Sequence, residues 1–421
     1  MKKLFLIILT SFSVAAQTTE WEIHPNIKVT HVESKEVPMV DVAIAFHAGS
    51  RYAPPGLANF TAQSTMLGSK FLNKEQVNAK LSITGSELKT YIDDELVVYH
   101  LRSLSNVSKE QMVDQFNSAI FNAAFPNQEI RFQRQNILSE IAFEQAQPEE
   151  IAKKHIYKFL FPSAAKFNSA TKGYADTLEN FHTSDLQQYH TQILGQPFTH
   201  ILIVGNLSIE DAKSVSEALS KKLVKTKAVL TKEKLYLENA PQTISINPNQ
   251  QQTYFLFATK VPVASTDKSY ATYLLLNEIL GGNSSSFLFQ TLRDQEGLVN
   301  SVQSNFENID DFSLLSLSGQ SQTSNTSKIR DILNTAFKNK ENIITEKRFS
   351  IAKESLKNKL LLDASSNQRK LERLIANAKN NHPANYDEWL VNSLNSVTLK
   401  DVSEALDTIN SNQFYKVYVG C

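Results

Sequence analysis

The pattern of apolar and polar positions between residues 40 and 71 predicts a β-strand followed by an amphipathic helix. Apolar residues alternate along the first part of this segment and share one face at Val40, Val42, Ile44 and Phe46. A turn and a Gly- and Pro-containing loop follow over residues 49–56. Helical spacing then predicts one buried stripe, made of Leu57, Phe60, Ser64, Leu67 and Phe71.

Four short matches recur along the chain at an almost constant offset. Their offsets are 217, 217, 216 and 215 residues, for Ile92-Asp93-Asp94 with Ile309-Asp310-Asp311, Arg131-Phe132 with Arg348-Phe349, Asp185 with Asp401, and Val204-Gly205 with Val419-Gly420. One such match has little weight, but four in the same order indicate an internal duplication. The sequence therefore predicts two similar units.

The duplication and the mixture of strands with long helices predict an α+β fold of two homologous domains. Each domain is expected to be a mainly antiparallel sheet with helices packed on one face. Residues 17–220 are predicted to form the N-terminal domain and residues 246–421 the C-terminal domain. The charged segment 221–245 between them is predicted to be a solvated linker. A chain of 421 residues is long enough for two such domains.

Residues 1–16 have the features of a secretory signal peptide. Lys2 and Lys3 precede the apolar run Leu4–Leu9, and small residues at Ser13–Ala16 provide a cleavage site. No later apolar run is long enough for a stable membrane anchor. The only cysteine, Cys421, excludes an intramolecular disulfide. We expect the mature protein in the periplasm or outside the cell.

The overall charge does not favour nucleic acid or an acidic membrane surface as a partner. The chain has 43 basic and 43 acidic residues, so its formal net charge is zero. Net charge therefore indicates no function, and candidate functional residues are expected in local motifs.

The most informative local motif is residues 59–63, in the predicted helix. Asn59 and Gln63 are four residues apart and project from one helix face. Two histidines at these positions, with a glutamate just before the second, could bind one zinc ion and activate a water molecule. Neutral amides are poor zinc ligands, and Ala62 has no titratable group that could act as a base.

The segment from Gly49-Ser50-Arg51 to Gly56-Leu57-Ala58-Asn59-Phe60 resembles the N-terminal signature of the pitrilysin/insulinase family. These inverzincin metallopeptidases include the mitochondrial processing peptidases and carry an H-x-x-E-H zinc motif. The resemblance covers nearly the whole mature chain and implies the fold of the metallopeptidase LuxS/processing-peptidase type. It also implies that Asn59, Ala62 and Gln63 replace the two histidines and the glutamate, so that no catalytic set is intact.

The resemblance further implies a role for Glu140, which lies 77 positions after Gln63, where the family has its third zinc ligand. One remaining carboxylate cannot hold zinc, so we expect no metal or other cofactor in this chain. An alternative interpretation is that Glu140 accepts hydrogen bonds from the amides of Asn59 and Gln63.

A second resemblance involves Arg293 and the position seven residues later. In the family, an arginine and a tyrosine at this spacing help to hold substrate near the zinc. Arg293 matches the arginine, whereas Asn300 replaces the tyrosine. We therefore treat both as candidates for substrate positioning. The alternative is that Arg293 forms a surface ion pair at the end of a helix.

These expectations lead to three functional hypotheses. The leading one is a non-catalytic subunit of a periplasmic zinc metallopeptidase complex, in which this chain forms half of a peptide-enclosing chamber. Its partner would be an active family subunit that carries H-x-x-E-H and the zinc ion. The alternatives are a self-associating protein that binds peptides or acts as a scaffold, and an active metalloendopeptidase with an altered site.

Overall fold

The computed structural model describes residues 18–421 apart from residues 25, 169–170, 224–228, 237–239, 248, 364, 384 and 410. The predicted signal peptide lies outside the described residues. The strands are β1 Thr18–His24, β2 Ile27–Glu33, β3 Met39–His47, β4 Glu87–Ile92, β5 Leu96–Leu104, β6 Thr199–Gly205, β7 Thr243–Ile246, β8 Gln252–Val261, β9 Val299–Ile309, β10 Phe312–Gln322 and β11 Tyr415–Val419.

The α-helices are α1 Leu57–Ser64, α2 Lys74–Ile83, α3 Lys109–Phe116, α4 Asn127–Gln145, α5 Pro148–Leu160, α6 Ala165–Asn168, α7 Ala175–Asn180, α8 Thr183–Leu194, α9 Ile209–Ser220, α10 Tyr270–Asn277, α11 Thr326–Ala336, α12 Glu346–Leu362, α13 Asn367–Lys379, α14 Tyr386–Ser396 and α15 Leu399–Asp407. Short π-helical segments extend α3 over Asn117–Phe121 and α10 over Glu278–Gly282, and a third covers Phe289–Gln295.

The two sheets have the same topology, which confirms the predicted fold class. The N-terminal sheet has the order β1-β2-β6-β3-β5-β4 and the C-terminal sheet the order β7-β11-β8-β10-β9. In each sheet one pair of strands is parallel, β2 with β6 and β7 with β11, and all other neighbours are antiparallel. Among the described residues, the C-terminal sheet differs only in having no equivalent of the edge strand β1.

The sequence matches lie at equivalent places in the two units. Asp93 and Asp310 lie in the hairpin turns that join β4 to β5 and β9 to β10. Asp185 and Asp401 are the third residues of α8 and α15, and each caps the backbone amide at its helix N-terminus. This capping box satisfies amides that have no partner inside the helix, which explains why an aspartate recurs there.

Each sheet is covered on its second face by a helix from the other half of the chain. Ala152, Ile156 and Leu160 of α5 pack with the apolar face of β8 and β11. In return, Leu371 and Ala378 of α13 pack against β3, β5 and β6. The prediction of helices on one face only is therefore incomplete. Because α13 covers the second face, every residue from Val40 to Phe46 is buried.

Two local predictions need correction. Strand β7 begins at Thr243 and pairs with β11, so the C-terminal unit begins inside the predicted linker 221–245. The predicted stripe of the first helix also ends early. Helix α1 stops at Ser64, a 3-10 turn continues to Leu67, and Phe71 lies beyond it with 78% of its surface exposed.

Across the part of the chain that the structure describes, no helix combines the length and the apolar composition needed to cross a bilayer.

Candidate functional site

The start of helix α1 is positioned by the glycine that precedes it. Gly56 precedes the helix with φ of +87°, a left-handed conformation that favours glycine. A Cβ atom at Gly56 would lie 2.7 Å from the carbonyl oxygen of Lys172 and 2.6 Å from the Leu178 side chain. The start of α1 is therefore held against the loop that contains Lys172 and Gly173.

A chain of amide hydrogen bonds occupies the face of α1 where zinc ligands would be expected. Gln63 Nε2 donates to Asn59 Oδ1 at 3.0 Å, and Gln133 Nε2 on α4 donates to Gln63 Oε1 at 2.8 Å. Asn59 is 3% exposed, and its Nδ2 has no hydrogen-bond partner among the residues that the structure describes. These three amides join α1 to α4 without any charged group. Sequence reasoning missed Gln133, which lies seven residues before Glu140 on the same helix.

Ala62 is fully buried in the core of the N-terminal unit. Its methyl group cannot accept a proton, so this position cannot supply the general base that the family motif has there.

Glu140 is paired with a lysine. Lys172 Nζ lies 2.9 Å from Glu140 Oε2 and 2.6 Å from Glu144 Oε1. The interpretation that Glu140 accepts hydrogen bonds from both amides is wrong for Asn59, whose Nδ2 has no partner. It is wrong for Gln63 too, whose Nε2 donates to Asn59. The pairing with Lys172 gives Glu140 a cationic partner that is part of the chain.

These residues do not fit a zinc ion. Two neutral amides, an alanine and a carboxylate that already has an ammonium partner offer none of the imidazole ligands that zinc prefers. Among the described residues, no group of three or more His, Cys, Asp or Glu side chains could hold a metal.

Arg293 and Asn300 are both exposed on the C-terminal unit. Arg293 lies near the end of the π-helical segment, and its guanidinium stacks over the Phe289 ring at 4.9 Å from the ring centroid. Within the described residues it has no ion pair, so the ion-pair alternative has no support here. Asn300 lies at the start of edge strand β9. Substrate positioning by either residue stays a prediction.

Arg51, in the Gly49-Ser50-Arg51 turn, connects the two halves of the chain. It is 1% exposed, and its guanidinium lies 2.7 Å from Glu95 and 2.8 Å from Asp310. It also donates to the Glu233 carbonyl oxygen at 2.6 Å. A buried arginine with partners in both units fixes their relative position.

Lys232 and Glu233 belong to this same cluster, so part of the predicted solvated linker is structural. Lys232 Nζ lies 2.6 Å from Glu95 and also pairs with Asp310. The Glu233 carboxylate accepts hydrogen bonds from the amides of Lys166 and Phe167. The repeated Ile-Asp-Asp motif was the available signal for Asp310, but its partner Arg51 could not be inferred from spacing.

A second set of contacts between the halves involves helix α13. Lys379 Nζ lies 3.0 Å from Asp93 and 2.7 Å from Asp94. Nearby, the rings of His47 on β3 and His200 on β6 lie 5.8 Å apart, close to Ala378 and Asn381 of the C-terminal half. Burial is the main reason why the pKa of each imidazole falls from 6.5 to about 4. Both histidines are therefore neutral at pH 7.

Comparison with known families identifies the fold. The family model for "Insulinase (Peptidase family M16)" matches residues 28–172, and the model for "Peptidase M16 inactive domain" matches residues 180–356. The chain belongs to the M16 (insulinase) family. The resemblance inferred from residues 49–60 is thereby confirmed.

Two relatives of this chain have names that differ on whether the protein is a protease. One is an "Uncharacterized zinc protease YmxG" of Bacillus subtilis, 24% identical over 90% of this chain and 92% of that protein. Another is a "Non-peptidase homolog YmxG" of Helicobacter pylori, 21% identical over 96% of this chain and 95% of that protein. A solved M16 inactive domain from Pseudomonas fluorescens superposes with a TM-score of 0.87, at 24% identity and over 96% of this chain and 98% of its own.

Together the family match and the changed residues fit a non-catalytic M16-like protein. The scaffold of the family is present in both halves, whereas Asn59, Ala62 and Gln63 cannot hold or use a zinc ion.

Proposed function

We propose that this chain is the non-catalytic subunit of a periplasmic zinc metallopeptidase complex of the M16 family. Its partner is an active family subunit that carries H-x-x-E-H and the zinc ion, and the two chains enclose peptide substrates in a chamber. The observation that carries the proposal is the retained helix pair α1 and α4, whose ligand positions are now the linked amides of Asn59, Gln63 and Gln133.

The preserved geometry around this helix supports a structural role. Lys172 pairs with both Glu140 and Glu144, and Gly56 still allows close packing at the helix start. A protein with no use for this region would need neither feature. A subunit that presents the surface to a partner needs its shape but not its chemistry.

Exposed apolar side chains on equivalent helices offer surface for a partner. On α4, Phe132 and Phe143 are 59% and 69% exposed, and on α12, Leu361 and Leu362 are 70% and 56% exposed. Large apolar side chains exposed on a helix surface are typical of a surface that another protein covers. We propose that the active subunit contacts these two helices.

The proposal is tested by affinity purification of the tagged chain from a periplasmic extract, followed by mass spectrometry. Stoichiometric recovery of an M16 protein that carries H-x-x-E-H supports it. Recovery of only the tagged chain, as a homodimer, favours the alternative of a self-associating peptide-binding or scaffold protein. The variant Phe132→Glu with Phe143→Glu should weaken recovery of the partner, whereas Glu388→Gln, at an exposed position of helix α14, should not.

A further inference from the structure

A cavity of about 560 Å³ lies in the C-terminal half of the chain, away from Asn59 and Gln63. Its walls are residues 287–295, helix α11 and the segment 339–348 that leads into α12. The volume is within the range of about 300–1,000 Å³ that is typical of small-ligand sites. The cavity is therefore separate from the changed zinc motif and large enough for a small molecule.

Arg348, in the first turn of α12, is a half-buried cation in this cavity without a carboxylate partner. Its guanidinium donates to the carbonyl oxygens of Asn342 and Ile343 and to Oε1 of Gln290. These acceptors are all neutral, and no carboxylate among the described residues pairs with it. A partly buried charge with only neutral partners is stabilised when an opposite charge binds beside it.

The same guanidinium has hydrogen-bond donors that the chain does not use. Nη1 donates to the two carbonyl oxygens, whereas one N–H of Nη2 donates to Gln290 and the other has no acceptor among the described residues. Nε is also without a partner there. The Phe287 ring, with its centroid 5.6 Å from the guanidinium carbon, helps to fix the group in place. A fixed guanidinium with unused donors is pre-organised for carboxylate or phosphate oxygens.

The other charged side chains of the lining are Lys328 and Asp331. Lys328 Nζ already pairs with Glu296 at 2.6 Å. Asp331 is exposed and does not pair with Arg348, whose acceptors are all neutral. An anion at Arg348 would therefore be attracted by the guanidinium and repelled, through water, by Asp331.

Neutral hydrogen-bonding side chains provide much of the remaining lining. They are Thr291, Gln295, Thr335, Asn339 and Asn342. Hydroxyl and amide groups can donate to the oxygens of an anion and can also exchange hydrogen bonds with the hydroxyl groups of a ligand. This combination of one unpaired cation with several hydroxyls and amides favours a hydroxylated anion over an apolar one.

The internal duplication repeats the arginine but not its surroundings. At the offset of 217 residues, the position equivalent to Arg348 is Arg131 on α4. Arg131 is exposed, whereas neighbouring residues partly enclose Arg348. Arg131 is therefore a matched control for the cavity in the C-terminal half.

We propose that this cavity binds a small hydroxylated anion, with a carboxylate or phosphate group at Arg348 and hydroxyl groups at the surrounding amides. Sugar acids and sugar phosphates have this chemistry. Leu361, on the surface proposed for the active subunit, is about 20 Å from Arg348 along the axis of α12. The site thus goes beyond the proposed pairing and does not depend on it.

Isothermal titration calorimetry on the purified mature chain at low ionic strength tests the site. D-gluconate presents a carboxylate, D-glucose 6-phosphate presents a phosphate, and D-glucose presents hydroxyl groups without a charge. We expect saturable one-to-one binding of at least one of the two anions and no binding of glucose. The two anions distinguish a carboxylate from a phosphate as the charged group.

Matched variants locate the binding. Arg348→Gln should weaken it about tenfold or more, whereas Arg131→Gln should change it less than about twofold. Asp331→Asn removes the opposing charge and should tighten binding about twofold or more. A purely structural role of Arg348 would not produce this gain, so Asp331→Asn also tests the site if Arg348→Gln folds poorly.

Equal binding of glucose and the anions, or no saturable binding of either anion, would overturn the proposal. So would equal effects of Arg348→Gln and Arg131→Gln, or the absence of a gain in Asp331→Asn. Because the experiment uses no partner subunit, its failure would leave the proposed pairing untouched.

Discussion

The Arg51 guanidinium lies 2.8 Å from the Asp310 carboxylate and so connects the Gly49-Ser50-Arg51 turn of the N-terminal half to a hairpin of the C-terminal half. Glu95 and Lys232 complete the cluster. Arg51 is buried, so removing it would leave Glu95 without one of its two cationic partners in a region with little water.

Arg51→Met is therefore expected to lower the free energy of unfolding by about 3–5 kcal/mol, the usual cost of breaking a buried ion pair. Urea denaturation followed by circular dichroism measures this change. The control is Arg369→Met, which breaks an exposed pair with Asp363 at 3.4 Å and should cost about 0–1 kcal/mol. Equal effects of the two variants would contradict the structural role given to Arg51.

Helices α5 and α13 each pack on the sheet of the other half, so the two halves are expected to unfold together. Leu371 is 2% exposed and packs on the N-terminal sheet, although it belongs to the C-terminal half. Leu371→Ala should cost about 2–5 kcal/mol through the cavity it creates. Tryptophan fluorescence follows the N-terminal half through Trp21, and Trp389 the C-terminal half.

Trp21→Phe and Trp389→Phe variants separate the two signals. In each of them, Leu371→Ala should shift the unfolding midpoint by the same amount. A shift seen by only one of the two tryptophans would show that the halves are independent.

The buried histidines between the halves predict a loss of stability in mild acid. His47 and His200 have a folded-state pKa of about 4, below the value of 6.5 for a free imidazole. The unfolded chain therefore binds more protons as the pH falls through 6.5. The stability contributed by each neutral histidine is complete above pH 6.5 and is lost progressively down to about pH 4, by up to about 3 kcal/mol each.

The free energy of unfolding between pH 4 and pH 8 checks this prediction. The double variant His47→Gln with His200→Gln should show a shallower decline below pH 6.5 than the parent chain. His182→Gln is the control because that side chain is 80% exposed. An unchanged slope in the double variant would exclude these two histidines as the acid-sensitive groups.

The pairing of Lys172 with Glu140 predicts what is needed to restore a zinc site. Asn59→His, Ala62→Glu and Gln63→His supply the missing groups, but the ammonium at 2.9 Å from Glu140 would repel the metal. Adding Lys172→Met should therefore increase zinc affinity at least about tenfold over the triple variant, a difference of about 1.4 kcal/mol.

Competition with a chromophoric chelator measures this affinity. Lys154→Met, at an exposed lysine of helix α5, should leave the affinity of the triple variant unchanged. Equal zinc affinity with and without Lys172 would show that the lysine does not occupy the place of the metal.

The sequence predicted the duplicated fold and the changed zinc motif because both depend on local patterns. Alternation at Val40–Phe46, the capping aspartates Asp185 and Asp401, and the spacing from Gln63 to Glu140 can all be counted along the chain. What could not be predicted depends on contacts between distant segments. No spacing rule pairs Arg51 with Asp310, and none pairs Lys172 with Glu140.

The packing of α5 and α13 could not be predicted either, because it also depends on contacts between distant segments. Helices α5 and α13 have ordinary amphipathic patterns, and nothing in them indicates that each packs on the sheet of the other half. The prediction of a solvated linker was wrong at Lys232 and Glu233 for the same reason, because their roles depend on partners in distant parts of the chain.

We conclude that the chain retains the M16 scaffold without its zinc motif. The zinc content of the purified mature chain tests this conclusion when it is determined together with cleavage of an unstructured peptide, with and without a chelator. We expect far less than one zinc per chain and no chelator-sensitive cleavage. One equivalent of bound zinc together with peptide cleavage that a chelator abolishes would contradict it.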